Sequence, residues 1–219
     1  MHKTTAALVL NLFVITSAAF SQKKDSVQQP VYFSGSIGVT NNGISIIPTF
    51  SLGKPAAMFI LAAGRGKFSV EPDIRFSMKG KPWGMVFWAR YKAVTSNKFL
   101  FTAGTHLGLN YRTSVIPING DSSETTIVRR YLAAELFPRY MIAKNTSIGI
   151  YYLYSHGMDA GTIHNTNFIT LNINFSNIRL IKDYFLKFNP QPYYLKLDKE
   201  DGYFFTALLT LVRNNFPLT

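Results

Sequence analysis

Residues 97–114 read NKFLFTAGTHLGLNYRTS, and taken alternately they separate into two chemically distinct sets. Phe99, Phe101, Ala103, Thr105, Leu107, Leu109 and Tyr111 make one set. Leu100, Thr102, Gly104, His106, Gly108, Asn110 and Arg112 make the other. Successive side chains of an extended strand point to opposite faces, so this is a strand with one apolar and one polar or small face. The same period of two recurs along most of the chain. Phe68, Val70, Ile74, Phe76 and Met78 oppose Ser69, Glu71, Asp73, Arg75 and Ser77, and Ile169, Leu171, Ile173 and Phe175 oppose Thr170, Asn172, Asn174 and Ser176. Strands are expected over 31–39, 44–52, 68–78, 83–93, 97–112, 127–142, 146–156, 165–180, 185–198 and 203–213, with the hairpin signal TNNG at 40–43. No stretch carries a long amphipathic helix, and no internal repeat stands out.

The next question is which face is the inside. A soluble sandwich or barrel turns its apolar face inward and leaves a charged face in water. Here the polar face is short of charge and rich in Gly, Ser, Thr and Asn, and only 16% of all residues are charged. The apolar face carries aromatics toward the strand ends, the pattern of a lipid-facing band with interfacial girdles. Several expected strands run ten to sixteen residues, beyond the five or six common in globular sheets. Mean hydropathy is +0.07, yet after residue 30 no apolar run reaches the ~18 residues that a membrane helix needs. The expectation is an all-β, antiparallel up-and-down transmembrane β-barrel of about ten strands, within a range of about 8 to 12. In that scheme 53–66 (GKPAAMFILAAGRG) is a connection, and the long connections 113–124 and 157–164 lie at one end of the barrel.

The N-terminus supplies a route to a membrane. Lys3 precedes an apolar stretch from Ala6 to Ile15, and Ala19-Phe20-Ser21 forms a small-x-small cleavage signal. The expected organisation is a signal peptide at 1–21, a flexible leader at 22–30 and an outer-membrane barrel domain at 31–219. No cysteine exists for a lipid anchor, a disulfide or a thiolate metal site. Without Lys3 the mature chain keeps 22 basic against 11 acidic residues, a net charge of about +11. The basic residues are scattered rather than gathered in a stripe, and an exported chain rarely meets nucleic acid. Outer-membrane lipid and lipopolysaccharide phosphates are the expected partners, with small solutes as a further possibility and a monomer as the expected state. No metal or cofactor pattern is present: GRGK at 64–67 lacks phosphate-loop spacing, and HExxH and GxSxG are absent.

Two constellations carry chemistry. Glu71, Asp73, Arg75, Arg90, Lys92, Glu135 and Arg139 share the polar parity and are expected in the lumen, with His106 and Arg112 beside them. Charges in a narrow interior must pair or stay hydrated, so a salt-bridge network filling the lumen is expected, with a selectivity lining as the functional alternative. His106 is expected to hydrogen-bond a neighbour. The second constellation is YSHGMDAGTIHN at 154–165, where Ser155, His156, Asp159 and His164 are the parts of an outer-leaflet lipid hydrolase. A soluble exported barrel holding an apolar ligand is the third reading.

GISIIPTFSLGKPA, KPWGMVFWARYK and the terminal LTLVRNNFPL resemble the uncharacterised small outer-membrane β-barrel proteins of Gram-negative bacteria. That resemblance implies architecture and location and transfers no catalytic residue. Locally, YSHGMDAGTIHN resembles the lipid A 3-O-deacylase barrels, whose motif sets His-x-Ser on a strand followed by Asn. Here Leu153 stands where that histidine would be and His156 where the asparagine would be.

Overall fold

A computed structural model describes residues 29–118 and 121–213. The expected signal peptide and most of the expected leader lie outside the described residues. Among the described residues the chain forms ten strands: β1 (Val31–Thr40), β2 (Ala56–Arg65), β3 (Phe68–Ser77), β4 (Pro82–Thr95), β5 (Phe99–Ile118), β6 (Asp121–Ala143), β7 (Thr146–Gly157), β8 (Asn165–Ile181), β9 (Tyr184–Leu197) and β10 (Glu200–Arg213). Each pairs antiparallel with the next in chain order. The result is an up-and-down sheet curled into a half-barrel, consistent with a β-barrel, in which no pairing joins β1 to β10 among the described residues. No described helix is long and apolar enough to cross a membrane.

The strand total meets the expectation, but two assignments exchange places. The expected strand 44–52 is part of a connection containing a single 3-10 turn, Pro48–Phe50, and the expected connection 53–66 contains β2. Pro48 has no N–H to give a ladder, which removes a hydrogen bond from the middle of the would-be strand. The sequence AAMFILAAGR of β2 is apolar on both faces, so it lacks the alternation that marks its neighbours. The expected connection 113–124 is also corrected, because β5 and β6 continue through most of it to Ile118 and Asp121. β4 leaves β5 at Asn110 and β7 leaves β6 at Tyr131, so the β5–β6 hairpin runs on as a two-stranded ribbon. Eight residues at ~3.3 Å each carry it about 26 Å past the sheet. Losing one strand and gaining another preserves the parity: 41–55 and 158–164 sit at the same end as the ribbon tip.

The exposure pattern answers the question raised by the alternation. Along Tyr131–Leu136 residues are alternately buried and exposed, with Glu135 3% and Leu132 53% exposed. Ser69, Asn110, Ser155, Thr166 and Thr170 are buried on the concave side, while Phe33, Ile37, Leu107, Ile150 and Ile169 are exposed on the convex side. The polar face is the inside. One continuous concave row crosses all ten strands through the register: Tyr32, Gly64, Ser69, Arg90, Gly104, Glu135, Leu153, Phe168, Leu195 and Gly202.

The β1–β2 connection, 41–55, folds into this interior. Ile47 is buried against Ala133, Leu153, Phe168 and Leu195, which together form the apolar core. The segment is fastened from several strands. The Trp83 indole N–H donates to the Phe50 carbonyl at 2.8 Å, the Tyr193 hydroxyl to the Ile46 carbonyl at 3.3 Å, and Arg112 to the Thr49 carbonyl. Phe50 packs edge-on to Tyr131 with ring centroids 4.9 Å apart. Gly43 is required by close approach, since a Cβ there would stand 3.0 Å from the Trp83 ring.

Candidate functional site: the concave interior

The interior has three levels, fixed by which residues face each other across the ladder. The central level is ionic. Arg90 bridges two carboxylates, donating to Glu135 through Nε at 2.5 Å and to Glu71 through Nη1. The Tyr151 hydroxyl donates to the second Glu135 oxygen at 2.6 Å, and the Ser69 hydroxyl to Glu71 at 2.7 Å. The Arg90 guanidinium also lies 4.0 Å from the Trp88 ring centroid. Glu135 is thus buried but engaged through both carboxylate oxygens, which is the condition under which a buried carboxylate is tolerated.

Gly104 makes this bridge possible. It lies between Arg90 and Glu135 in the row, and a Cβ there would come 2.8 Å from the Glu135 Oε1 and 3.1 Å from the Arg90 Cγ. Gly104 therefore serves a lumen purpose: it leaves room for longer side chains from neighbouring strands.

The other expected lumen charges are placed as follows. Asp73 and Arg75, two apart on β3, form their own bidentate pair at 2.8 and 2.5 Å. Arg112 reaches Asn110 as well as the inward segment. Lys92 and Arg139 meet rings instead of carboxylates, Lys92 over Tyr32 at 5.5 Å and Arg139 near Phe137 at 5.4 Å. They line the lower level, a cavity of about 580 Å³ that also includes Thr102, Asn172 and Gln191. The expected hydrogen bond to His106 is corrected: its Nδ1 is buried with no partner, and its ring packs against Trp88 at 4.2 Å. The side chain is dressed by an aromatic face, not by a polar neighbour.

The upper level is a cavity of about 200 Å³ beneath the inward segment. Phe50, Trp83, Trp88 and Tyr131 contribute aromatic walls, with Leu153 and Ile47 beside them. Sequence parity identified none of these residues as site members, although Trp88, Tyr131 and Tyr151 could have been found by extending the inward parity of each strand; Trp83 stands on the opposite parity to Trp88 and turns inward at the register shift beside Phe76. Phe50 and Ile47 could not, because they reach the interior from a connection.

The Ser-His-Asp set is dispersed. Ser155 and His156 are neighbours on β7 and face opposite ways: Ser155 is buried opposite Ala133 and Thr166, and His156 is exposed. His156 lies beside His164 with ring centroids 6.2 Å apart. Asp159 accepts from the Arg130 backbone N–H at 2.6 Å and from its guanidinium at 2.6 Å, so it fastens the β7–β8 connection to the ribbon base. Asp198 accepts from the backbone N–H groups of His164 and Asn165, closing the other end of that connection. No group of three His, Cys, Asp or Glu side chains suited to a metal occurs among the described residues.

The Arg130 hydrogen bonds hold the Asp159 carboxyl below the usual carboxylate range. A depressed value means that the contact is complete above the ordinary aspartate pKa, near ~3.9, and is lost as pH falls through the lowered value. The protection of amides over 158–164, taken against the intrinsic rate at each pH, is therefore expected to hold from pH 7 to 4 and to fall only in stronger acid. Asp159→Asn should already exchange fast at pH 7; a variant as protected as the parent would contradict this role.

Fold and site together define an antiparallel, curled ten-stranded sheet with a polar, ion-paired concave face and an apolar convex face. No family model, no curated protein and no solved structure matches the chain.

Proposed function

We propose that the chain is an outer-membrane β-barrel protein whose lumen is filled by its own β1–β2 connection and charge network, with a structural or partner-docking role at the cell envelope. The observation that carries this is the inverted exposure: Leu107, Leu132, Ile150 and Ile169 lie outside while Ser69, Glu135, Ser155 and Thr170 lie inside. In water such an arrangement exposes a large apolar surface without return, whereas in a bilayer that surface faces hydrocarbon. Spanning a bilayer leaves no room for unpaired strand edges, so β1 and β10 must be satisfied by each other on insertion. The inward segment and the Arg90 bridge obstruct the lumen, which favours a filled barrel over an open pore for small solutes.

An outer-leaflet hydrolase draws no support from the opposed Ser155 and His156. A soluble carrier would need its apolar face on the concave side. The test is cell fractionation: after expression with residues 1–21 in place, the protein should band with outer membranes, resist an alkaline wash and need detergent for release. Recovery in the soluble periplasmic fraction would overturn the reading.

A further inference from the structure

The upper cavity is the part of the interior that neither the ion pairs nor the inward segment fills. Its volume of about 200 Å³ exceeds the ~150 Å³ of an apolar protein cavity known to hold benzene. Its walls are mainly aromatic and aliphatic, and their polar members are the paired Asp73 and Arg75 with Ser45, His106, Asn110 and Ser155. One nitrogen of its lining is buried without a hydrogen bond, His106 Nδ1. Ser155 follows His106 in the same row across Ala133 and also lines the space.

Gly108 keeps the wall beside His106 open. A Cβ at position 108 would stand 3.5 Å from His106 Nδ1 and 3.4 Å from its Cε1, so a branched side chain there would close the approach to the unpartnered nitrogen. The nearby ring systems are disposed edge-on to one another, as Phe50 is to Tyr131 and Trp88 to His106. A flat ring entering between them adds further contacts of that kind.

We propose that this cavity binds one small aromatic molecule bearing a hydroxyl or N–H donor, of phenol to indole size, with the donor on His106 Nδ1 and the ring among Trp83, Trp88 and Tyr131. The site does not depend on the envelope role. It concerns the purified full-length chain in any medium that keeps it folded, so its failure and the failure of the membrane reading are separately visible.

Both tryptophans of the chain line the cavity, so intrinsic fluorescence reports its occupancy directly. Titration with p-cresol should shift tryptophan emission saturably. Toluene, which has the same ring and no donor, should bind about ten-fold more weakly, the usual worth of a hydrogen bond to a buried acceptor. His106→Phe should abolish that preference while still binding toluene. Gly108→Val should remove both responses, with an unchanged far-ultraviolet circular dichroism spectrum showing that the sheet is intact. The proposal is overturned if emission does not respond to p-cresol at millimolar concentration. It is equally overturned if toluene binds as well as p-cresol, or if folded Gly108→Val titrates like the parent, which would leave a solvent-filled cavity only.

Discussion

Arg90→Met is expected to destabilise the protein by about 3–5 kcal/mol, the range measured when one partner of a buried ion pair is removed. Arg90 is the sole cation bonded to Glu135 among the described residues, and the Glu135 side chain is only 2% exposed. Without the guanidinium, Glu135 keeps one hydrogen bond from Tyr151 and Glu71 keeps one from Ser69. Two carboxylates then share an interior in which Lys92 and Arg139 line the same cavity but neither bonds them, so each must be protonated, hydrated or reached by one of these cations. Glu135→Gln keeps shape and hydrogen-bonding capacity, so it should cost only about 1–2 kcal/mol. The double change Arg90→Met with Glu135→Met should recover most of the loss, because an apolar pair of similar volume replaces the ion pair. Urea unfolding followed by tryptophan emission measures all three. An Arg90→Met variant with the parent's midpoint would show that water, not Arg90, satisfies these carboxylates.

Ile47→Asp should cost about 3 kcal/mol or more and release the inward segment. Ile47 is the only described residue of 41–55 in the buried apolar cluster, where Ala133, Leu153, Phe168 and Leu195 surround it. A carboxylate at that point is set among Ala133, Leu153, Phe168 and Leu195, and ejecting it strips the cluster of the Ile47 side chain. Ejection also breaks the geometry by which Trp83 and Tyr193 hold Phe50 and Ile46. Chymotrypsin should then cut after Phe50, which is protected in the parent by its ring packing on Tyr131 and by the Trp83 indole N–H bonded to its carbonyl. Ile47→Val, which keeps the apolar character, should cost about 1 kcal/mol and leave the segment protected. Equal cleavage of parent and Ile47→Asp would mean that the segment is not anchored by its core residue.

The sequence made the two faces of the sheet legible because alternation is a local signal. Phe68 to Met78 and Phe99 to Arg112 state their parity residue by residue, and register only has to preserve it. The interior pairs followed from the same parity, so Glu71, Arg90 and Glu135 could be grouped without coordinates. What parity cannot say is which charges meet. Asp73 takes Arg75 from its own strand, and Lys92 and Arg139 turn to rings. Those outcomes depend on side-chain reach and on where glycine leaves space, as Gly104 does between Arg90 and Glu135.

The exchange of 44–52 and 53–66 has a different origin. Ile44, Ile46, Phe50 and Leu52 imitate a strand by spacing alone: Ile44 and Ile46 are exposed, and the side chain that anchors the segment inside is Ile47, which lies off that alternation. Meanwhile β2 lacks alternation because Met58 and Ile60 are apolar on the concave side as Phe59 and Leu61 are on the convex side. Ser155 and His156 likewise gave a chemical signal in one dimension that a period of two separates in three.

The central claim is that the convex face meets lipid, and spin labels on β6 test it most directly. The chain has no cysteine, so single substitutions at Leu132, Ala133, Ala134 and Leu136 can each be labelled uniquely. In reconstituted bilayers, labels at Leu132, Ala134 and Leu136 should collide freely with dissolved oxygen and be shielded from a water-soluble nickel chelate. The label at Ala133 should show low oxygen collision, giving a profile that alternates with a period of two. Nickel access at Leu132 and Leu136 equal to that of a label at an exposed turn would contradict the account and return this face to water.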